Sequence, residues 1–279
     1  MNIAYFPNQL AQNGHPVLDA FLSSCRHAGH TVTADSSTAD AAVIWSQVWA
    51  GKMRGNQQVW QEYTQTGRPV VVLEVGNLQR NTTWRVGLNG INSFACFGAT
   101  EQGPDRAQKL GLTAQPWTYQ GDHVVICTQR GDSEQWAGQP TPEIWAGEVI
   151  KQIQQHTDRP IVIRPHPRFR FQQAWPGVEV CKPVPVPGTY DSYNFDQALH
   201  NAWAVVNWNS GPGIESVIKG VPVFTSPASL CAPVGNFDFS SIEKPLRPER
   251  QQWLNDLAYT EWTVEEIKQG QPLSRLLLT

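Results

Sequence analysis

Residues 204–224 predict a buried strand, a turn of small residues, a helix and a second buried strand. Pro212 stands where the helix begins, and it suits the first helical turn because its missing N–H would have no partner there. Short apolar strands alternate with helices along the rest of the chain as well, which is the pattern of a doubly wound parallel sheet. The predicted fold class is therefore α/β.

The same alternation defines the remaining elements. Predicted strands are 2–6, 31–33, 41–45, 68–74, 123–127, 161–163, 204–207 and 221–224. Predicted helices cover the apolar positions of 17–22 and the segments 56–66, 143–156, 195–200 and 214–219, and one or two helices are expected in 250–270. A chain of 279 residues with this pattern suits two domains.

The turn after residue 207 has the composition of an anion pocket. Asn209, Ser210 and Gly211 would place backbone N–H groups and a hydroxyl at a helix N-terminus, where the unpaired donors and the helix dipole favour a phosphate or a carboxylate. Glu215, one turn along that helix, can reach a hydroxylated group such as a ribose. An ordinary helix cap is the alternative interpretation.

A second segment adds positive charge at the end of a neighbouring strand. The apolar strand 161–163 runs into a loop that contains Arg164, His166 and Arg168 between prolines, which hold the backbone extended. Ligands of open α/β sheets bind outside the carboxyl ends of the strands, so this loop and the Ser210 turn are expected at the same edge. A solvated loop histidine is the alternative for His166.

These two motifs resemble the C-terminal, nucleotide-binding domain of GT-B glycosyltransferases, especially capsule-type Kdo transferases and bacterial sialyltransferases. The resemblance covers residues 124–226 and rests on a strand followed by His-Pro, and on a strand followed by Ser-Gly, a helix with Glu, and Gly-Val-Pro-Val. It implies that His166, Ser210 and Gly211 hold the phosphate of a sugar nucleotide. One Ser followed by Gly stands where the family often has two hydroxyl residues, which leaves the nucleotide open.

The resemblance also implies an organisation for the whole chain. Two Rossmann-like domains face a cleft in that fold, and a C-terminal helix crosses back to the first. The corresponding prediction is an acceptor domain at 1–118, a nucleotide-sugar domain at 119–250, and a helical segment at 251–279 that packs back on the first domain.

Transfer of a sugar from a nucleotide requires fixed positive charge or N–H donors at the leaving phosphate, and a base for the acceptor hydroxyl if the configuration inverts. The phosphate candidates are Gln129, Arg130, Arg164, His166, Asn209, Ser210 and Gly211.

The first candidate base is His15, which follows Gly14 after the first strand and has Asp19 one helical turn later to orient its imidazole. Glu74, at the end of another strand, is the rival. Retaining chemistry would need neither, and each has a purely structural alternative.

Composition and missing motifs narrow the function classes. Charged residues make up 16% of the chain and the net charge is −3, so the protein is not a bulk basic nucleic-acid binder. The sequence contains no P-loop, zinc-protease or Asp-x-Asp metal motif, so neither a metal nor a further cofactor is expected. Five scattered cysteines and a first strand that starts at residue 2 predict a reduced, cytoplasmic protein without a membrane segment.

The acceptor is the least constrained part of the function. Residues 82–92 and 253–262 resemble small bacteriophage glycosyltransferases that modify hydroxymethylated pyrimidines, so duplex DNA in a host cytoplasm is the favoured acceptor, with Arg80, Arg85, Arg106 and Lys109 as a cationic surface. A capsule or other glycan, a lipid-linked sugar, a non-catalytic sugar-nucleotide-binding module and an epimerase remain alternatives. A UDP- or CMP-linked donor is expected, and the oligomeric state is open.

Overall fold

The structure is a computed structural model that describes residues 1–169, 171–189 and 191–276. It divides the chain into two compact units. The first contains Met1–Arg106, Asp132–Gln135 and Asn255–Thr279, and the second contains Ala107–Gly131 and Trp136–Leu254. The predicted domain bounds 1–118, 119–250 and 251–279 stay a prediction, and residues 277–279 of the last range lie outside the described residues.

Strands and helices alternate along most of the chain. The strands are β1 Asn2–Tyr5, β2 Thr31–Ala34, β3 Ala41–Trp45, β4 Val70–Val75, β5 Trp84–Leu88, β6 His123–Cys127, β7 Ile161–Arg164, β8 Val178–Val180, β9 Val184–Pro185, β10 Tyr193–Asn194, β11 Ala202–Asn207, β12 Val223–Phe224 and β13 Glu261–Trp262. The helices are α1 His15–His27, α2 Asn56–Gln65, α3 Asp105–Lys109, α4 Pro142–Ile153, α5 Asp196–Leu199, α6 Gly211–Ile218, α7 Gln251–Ala258, α8 Val264–Lys268 and α9 Gln271–Arg275.

The first unit is built on a mixed sheet with the strand order β13-β5-β4-β3-β1-β2. Strands β1 to β4 are parallel, whereas β5 is antiparallel to β4 and β13 is antiparallel to β5. Every residue of β3 is buried, as expected of a strand covered on both faces. The carboxyl ends of β1 to β4 therefore share one edge. Glu74 lies near the end of β4, Ser46 directly follows β3, and the segment after β1 leads to His15 at the start of α1.

Helices cover both faces of this sheet. The apolar residues of α1 pack with α8 and α9 over one face, and α2 packs through Val59 and Tyr63 on the other. Helix α1 begins at His15 with Pro16 in its first turn, and its buried residues Val17, Leu18, Phe21 and Cys25 repeat at helical spacing.

The second unit contains a parallel sheet with the order β12-β11-β6-β7-β8. One face carries the larger apolar cluster, which includes α4, and the other carries a smaller cluster with Phe195 and Leu199. Because all five strands are parallel, the loops after β6, β7, β11 and β12 emerge at one edge. The predicted α/β class with two Rossmann-like sheets is confirmed.

The C-terminal tail, residues 250–276, contains a strand as well as the helices that the sequence predicts. Helices α7 and α8 lie in 250–270 as expected, but the two-residue strand β13 separates them and pairs with Trp84 and Arg85 of β5. Trp262 and Leu257 fit a helical repeat in the sequence, and the long-range pairing that makes this segment a strand leaves no local pattern.

A buried arginine ties the tail to the first unit. Arg106 stacks on Trp262 with its guanidinium carbon 3.8 Å from the ring centre, and each terminal nitrogen donates to a Glu266 carboxylate oxygen at 3.0 Å. Its Nε donates to the Ala258 carbonyl at 2.6 Å, and Nη2 also donates to the carbonyl of Glu261. The guanidinium is thus held by a carboxylate, two carbonyls and an aromatic face.

The carboxylate of Glu261 is the second anchor. This residue is 0% exposed, and its oxygens accept from the backbone N–H groups of Asn77 and Leu78, at 2.7 and 3.0 Å. They also accept from the Thr83 hydroxyl at 2.8 Å and from Arg85 Nη2 at 2.9 Å. Four donors compensate the removal of this charge from water, and they fix β13 against β5.

Arg106→Ala should lower the free energy of unfolding by about 3–5 kcal/mol, because it leaves the Glu266 carboxylate buried without its cation. Urea denaturation at neutral pH measures this loss. Lys219→Ala is the matched control, since it removes exposed pairs with Asp196 and Glu215 and should cost no more than about 1 kcal/mol. Similar losses in the two variants would contradict the anchoring role.

Candidate functional site

Loops from three adjacent strands are hydrogen-bonded to one another at the carboxyl edge of the second unit. The backbone N–H of His166, after β7, donates to the Thr128 hydroxyl, after β6, at 3.2 Å. The backbone N–H of Asn209, after β11, donates to Gln129 Oε1 at 3.2 Å. The structure therefore brings together Gln129, His166 and Asn209, which the sequence places on three separate segments.

The hydrogen bonds of His166 indicate which ring nitrogen carries the proton. The backbone N–H of Arg168 donates to His166 Nδ1 at 3.2 Å, and a turn closes where the Phe169 N–H donates to the His166 carbonyl at 2.9 Å. Since Nδ1 accepts, the neutral imidazole carries its proton on Nε2. A partly buried N–H donor of this kind suits a phosphate oxygen.

Arg164, the last residue of β7, is a buried cation at 7% exposure. Its Nη2 donates to the Asn194 carbonyl at 3.2 Å, and its guanidinium lies over the Phe195 ring at 4.9 Å. No carboxylate of the described residues forms an ion pair with it. A buried charge is costly unless an anion or several dipoles compensate it, so this position favours an anionic ligand.

The Ser210 turn is hydrogen-bonded by Asn207, a residue that the sequence motifs did not indicate. Asn207, 2% exposed, donates through Nδ2 to the Ser210 carbonyl at 2.9 Å and to its hydroxyl at 3.4 Å. Ser210 precedes α6 in an extended conformation, and its side chain makes no capping hydrogen bond. Gly213 leaves room for this arrangement, because a Cβ there would lie 2.8 Å from the Asn207 amide.

Buried polar atoms without a hydrogen-bond partner among the described residues occur at this edge. They include Asn207 Oδ1, at the end of β11, and Ser226 Oγ, two residues after β12. Buried polar groups are nearly always paired in folded proteins, so unpaired ones at the carboxyl edge of a parallel sheet point to ligand contacts. Either atom can accept from a hydroxyl, and the serine can also donate to a phosphate.

Glu215 and Arg130 lie at the same edge with other contacts. Glu215, on α6, accepts from Lys219 Nζ at 2.7 Å, and that lysine also pairs with Asp196. Arg130 is partly buried in the loop after β6. Their proposed contacts with ribose and phosphate stay predictions.

Glu74 marks the corresponding edge of the first unit. Its Oε2 accepts from the Ser46 hydroxyl at 2.5 Å, and its Oε1 accepts from the Val75 N–H at 2.8 Å. Burial raises the pKa of this carboxyl above its ordinary value, and the two hydrogen bonds and the charges of Arg85 and Arg80 offset only part of that rise. The side chain is only half-buried by exposure, so it combines a raised pKa with access to solvent.

His15 and Asp19 have a different setting. Both are exposed on the first turns of α1, and no hydrogen bond or ion pair joins them in the described part of the chain. Gly14 is required by packing, because a Cβ there would lie 2.7 Å from the Trp45 ring. Their catalytic role stays a prediction.

Uncharged amide side chains line the edge near β1. Gln9 Oε1, Asn13 Oδ1 and Asn56 Oδ1 are buried without a hydrogen-bond partner among the described residues. The Asn56 amide is oriented by its Nδ2, which donates to the Trp45 carbonyl at 2.6 Å and to the Gln9 carbonyl at 3.1 Å. A cavity of about 260 Å³ opens beside Gln9, with a lining that includes Phe6, Asp35, Gly55, Glu62 and Tyr63.

The cationic surface predicted for DNA is wrong at two of its four residues. Arg85 and Arg106 are buried, at 6% and 5% exposure, in ion pairs with Glu261 and Glu266. Their guanidinium groups stabilise the fold and are not exposed for contact with a nucleic-acid backbone. Within the described residues, no helix is long and apolar enough to cross a bilayer, and no cluster of three His, Cys, Asp or Glu side chains could hold a metal ion.

No family model and no curated protein matches the sequence. Among solved structures, the chain is similar to the beta Kdo 2,4 transferase of Thermosulfurimonas dismutans KpsC, with 14% identity, a TM-score of 0.53 and 98% coverage of both chains. It is also similar to the beta Kdo 2,7 transferase of the same KpsC, with 16% identity, a TM-score of 0.55 and 99% coverage of both. The predicted GT-B-like fold, and its likeness to Kdo transferase structures, are thereby confirmed.

Replacing Glu74 tests its raised pKa through stability. A carboxyl whose pKa is raised by folding stabilises the folded state fully below its ordinary value of 4.5, and this contribution is lost as the pH rises through the folded pKa. The free energy of unfolding of Glu74→Gln, relative to the unchanged protein, should therefore increase above pH 4.5 by up to about 1.4 kcal/mol per pH unit and then level off.

Urea denaturation from pH 4 to 8 measures this difference. Glu148→Gln, at an exposed position of α4, shows what the loss of one surface carboxylate does to the same curves. A difference for Glu74→Gln that does not vary with pH would contradict the raised pKa.

Proposed function

We propose that this protein is a glycosyltransferase that moves a sugar from a nucleotide sugar to an acceptor hydroxyl. The observation that carries the proposal is the edge of the second unit where Arg164 is buried without a carboxylate beside the cross-linked loops of Gln129, His166 and Asn209. The fold supports it, because the two similar structures are described as Kdo transferases.

The donor phosphate is proposed to bind at this edge. Arg164 supplies the charge, His166 supplies Nε2–H, and the Ser210 turn supplies its hydroxyl and the N-terminus of α6. Gln129, Arg130, Asn209 and Gly211 complete the proposed contacts. Glu215 remains the candidate for the ribose hydroxyls, because a carboxylate has acceptor positions beyond the one that Lys219 occupies.

Charge develops on the phosphate as the sugar leaves, and fixed donors at that position stabilise it. In an inverting reaction the acceptor hydroxyl gives its proton to a base, its oxygen forms a bond to the anomeric carbon, and the bond to phosphate breaks with its electron pair on the nucleoside phosphate. We assign the base to Glu74, since its raised pKa brings it nearer to neutral pH. The exposed His15, with Asp19, is the rival.

For the acceptor we favour a glycan hydroxyl over a hydroxymethylated pyrimidine in DNA. Two of the four cations predicted for DNA stabilise the fold internally, whereas the buried oxygens of Gln9, Asn13 and Asn56 are acceptors that the hydroxyl groups of a saccharide can satisfy. A DNA backbone presents acceptors only, and it requires cations in their place.

The donor prediction concerns His166. Titration calorimetry against UDP-, GDP-, dTDP- and CMP-sugars should find one donor that binds below millimolar, and His166→Ala should weaken its binding by about 1–3 kcal/mol through the loss of a hydrogen bond to a charged group. Binding of the parent nucleoside, which has no phosphate, should be unchanged.

His200→Ala serves as the matched control, because His200 is exposed just before β11, at the opposite end of that strand from the Ser210 turn. Equal losses for donor and nucleoside would remove His166 from the phosphate site. Failure of every nucleotide sugar to bind would refute the glycosyltransferase proposal.

The acceptor prediction concerns DNA. Duplexes with plain or hydroxymethylated pyrimidines should show no measurable binding by fluorescence anisotropy at low salt, where even nonspecific DNA affinity is greatest. Binding that weakens with salt, at a log–log slope near −0.9 per phosphate contact, would restore the DNA acceptor and contradict the glycan proposal.

A further inference from the structure

Ser46 has an unusual backbone at the end of β3. It follows Trp45 directly, it is 2% exposed, and its φ is +64°, in the left-handed region that non-glycine residues seldom adopt. Its N–H donates to the Leu73 carbonyl at 2.7 Å, which continues the pairing of β3 with β4. Conformations of this kind cost folding free energy and persist where the surrounding structure enforces them.

The backbone directs the serine hydroxyl at a carboxylate. Ser46 Oγ accepts from the Val48 N–H at 3.1 Å and donates to Glu74 Oε2 at 2.5 Å. A hydroxyl has one proton to donate, and the bond from Val48 occupies a lone pair, so the proton points to the carboxylate. The donor thus has one orientation.

We propose that Ser46 is a positioning residue that holds Glu74 in one orientation and favours its ionised form for accepting a proton from the acceptor hydroxyl. This inference rests on the proposed function, and it adds a residue that none of the sequence motifs indicates. The Val75 N–H holds the other carboxylate oxygen at 2.8 Å, so the two donors together fix the plane of the group.

The groups around Glu74 determine how its pKa would respond to the loss of the Ser46 hydroxyl. Burial raises the pKa of Glu74, and the Ser46 hydrogen bond is the largest of the opposing effects, ahead of the Val75 N–H. The charges of Arg85, which lies opposite Glu74 on β5, and of Arg80, in the loop before β5, follow. Without the hydroxyl, the remaining donors and charges stabilise the ionised carboxylate less, and burial favours the protonated form more strongly. The pKa of Glu74 should therefore rise further.

A glycine would adopt a φ of +64° without strain, so the strain at Ser46 accompanies a side chain with a specific contact. This separates two variants. Ser46→Gly removes the hydroxyl and relieves the backbone, whereas Ser46→Ala removes the hydroxyl and keeps the strain. We expect Ser46→Gly to unfold at a higher urea concentration than Ser46→Ala.

The first measurement follows Glu74 directly, without any substrate. In protein labelled with ¹³C at the glutamate carboxyl carbons, the resonance that disappears in Glu74→Gln identifies Glu74, and its shift against pH gives the pKa. We expect that pKa to rise by roughly 1–2 units in both Ser46 variants, since a hydrogen bond to the charged form is lost. An unchanged pKa in Ser46→Gly would overturn the inference.

The second measurement uses the nucleotide sugar identified by calorimetry, with transfer to a glycan acceptor. In Ser46→Gly, kcat should fall tenfold or more while the KM for the donor stays the same, and the acidic limb of kcat/KM should move to higher pH by the shift seen in the NMR titration. A purely structural role would instead make activity follow stability, so that Ser46→Gly is more active than Ser46→Ala.

Asn201→Gly is the control for backbone relief. Asn201 also has a left-handed φ, of +54°, and lies exposed in the second unit before β11, so its replacement should change neither the Glu74 titration nor kcat. If no nucleotide sugar binds, the proposed function fails, while the NMR titration still reports on the contact with Ser46. A shifted pKa with an unmoved pH profile overturns the role of Ser46 and leaves the glycosyltransferase proposal standing.

Discussion

The first unit depends on two buried carboxylates. The arginines that neutralise them lie far away along the sequence. Glu261 meets Arg85 across 176 positions and Glu266 meets Arg106 across 160. Removing such charges from water is costly, and only several good hydrogen bonds compensate it. The compensation is available in one arrangement, with β13 beside β5, so these ion pairs specify where the tail must lie. The sheet that positions Glu74 and Ser46 includes that strand pair.

Both units place their candidate functional groups at the carboxyl ends of parallel strands. Parallel strands bring their carboxyl ends to one edge. Hydrogen bonds between neighbouring segments then fix the backbone or the side chain there: the Thr128 hydroxyl holds the backbone N–H of His166, and the Ser46 hydroxyl holds the carboxylate of Glu74. The edge of the second unit gathers a cation and N–H donors, which suits a phosphate. The edge of the first gathers a carboxylate and amide oxygens, which suits hydroxyl groups.

Local patterns predicted most of the fold, and long-range contacts account for what they missed. Strands 41–45 and 123–127 have the predicted bounds because 41–45 is a continuous apolar run between polar residues and 124–127 is another, directly after His123. Strand β13 was missed because its two residues gain their conformation from β5, and Arg85 and Arg106 were expected at the surface because their partners lie so far along the chain. Asn207 and Ser46 went unnoticed since neither the amide contact below the turn nor a left-handed φ has a sequence signature.

The first unit is assembled from segments at both ends of the chain, and this affects how it folds during synthesis. Residues 255–276, with both buried glutamates, are translated only after the entire second unit, so Arg85 and Arg106 emerge from the ribosome well before their counterions. Until then, the outer side of β5 is an unprotected strand edge, of the kind that pairs with other chains. The nascent protein therefore passes through an interval of aggregation risk that ends when the short strand β13 pairs with Trp84 and Arg85 of β5, and slow translation of the second unit would lengthen it.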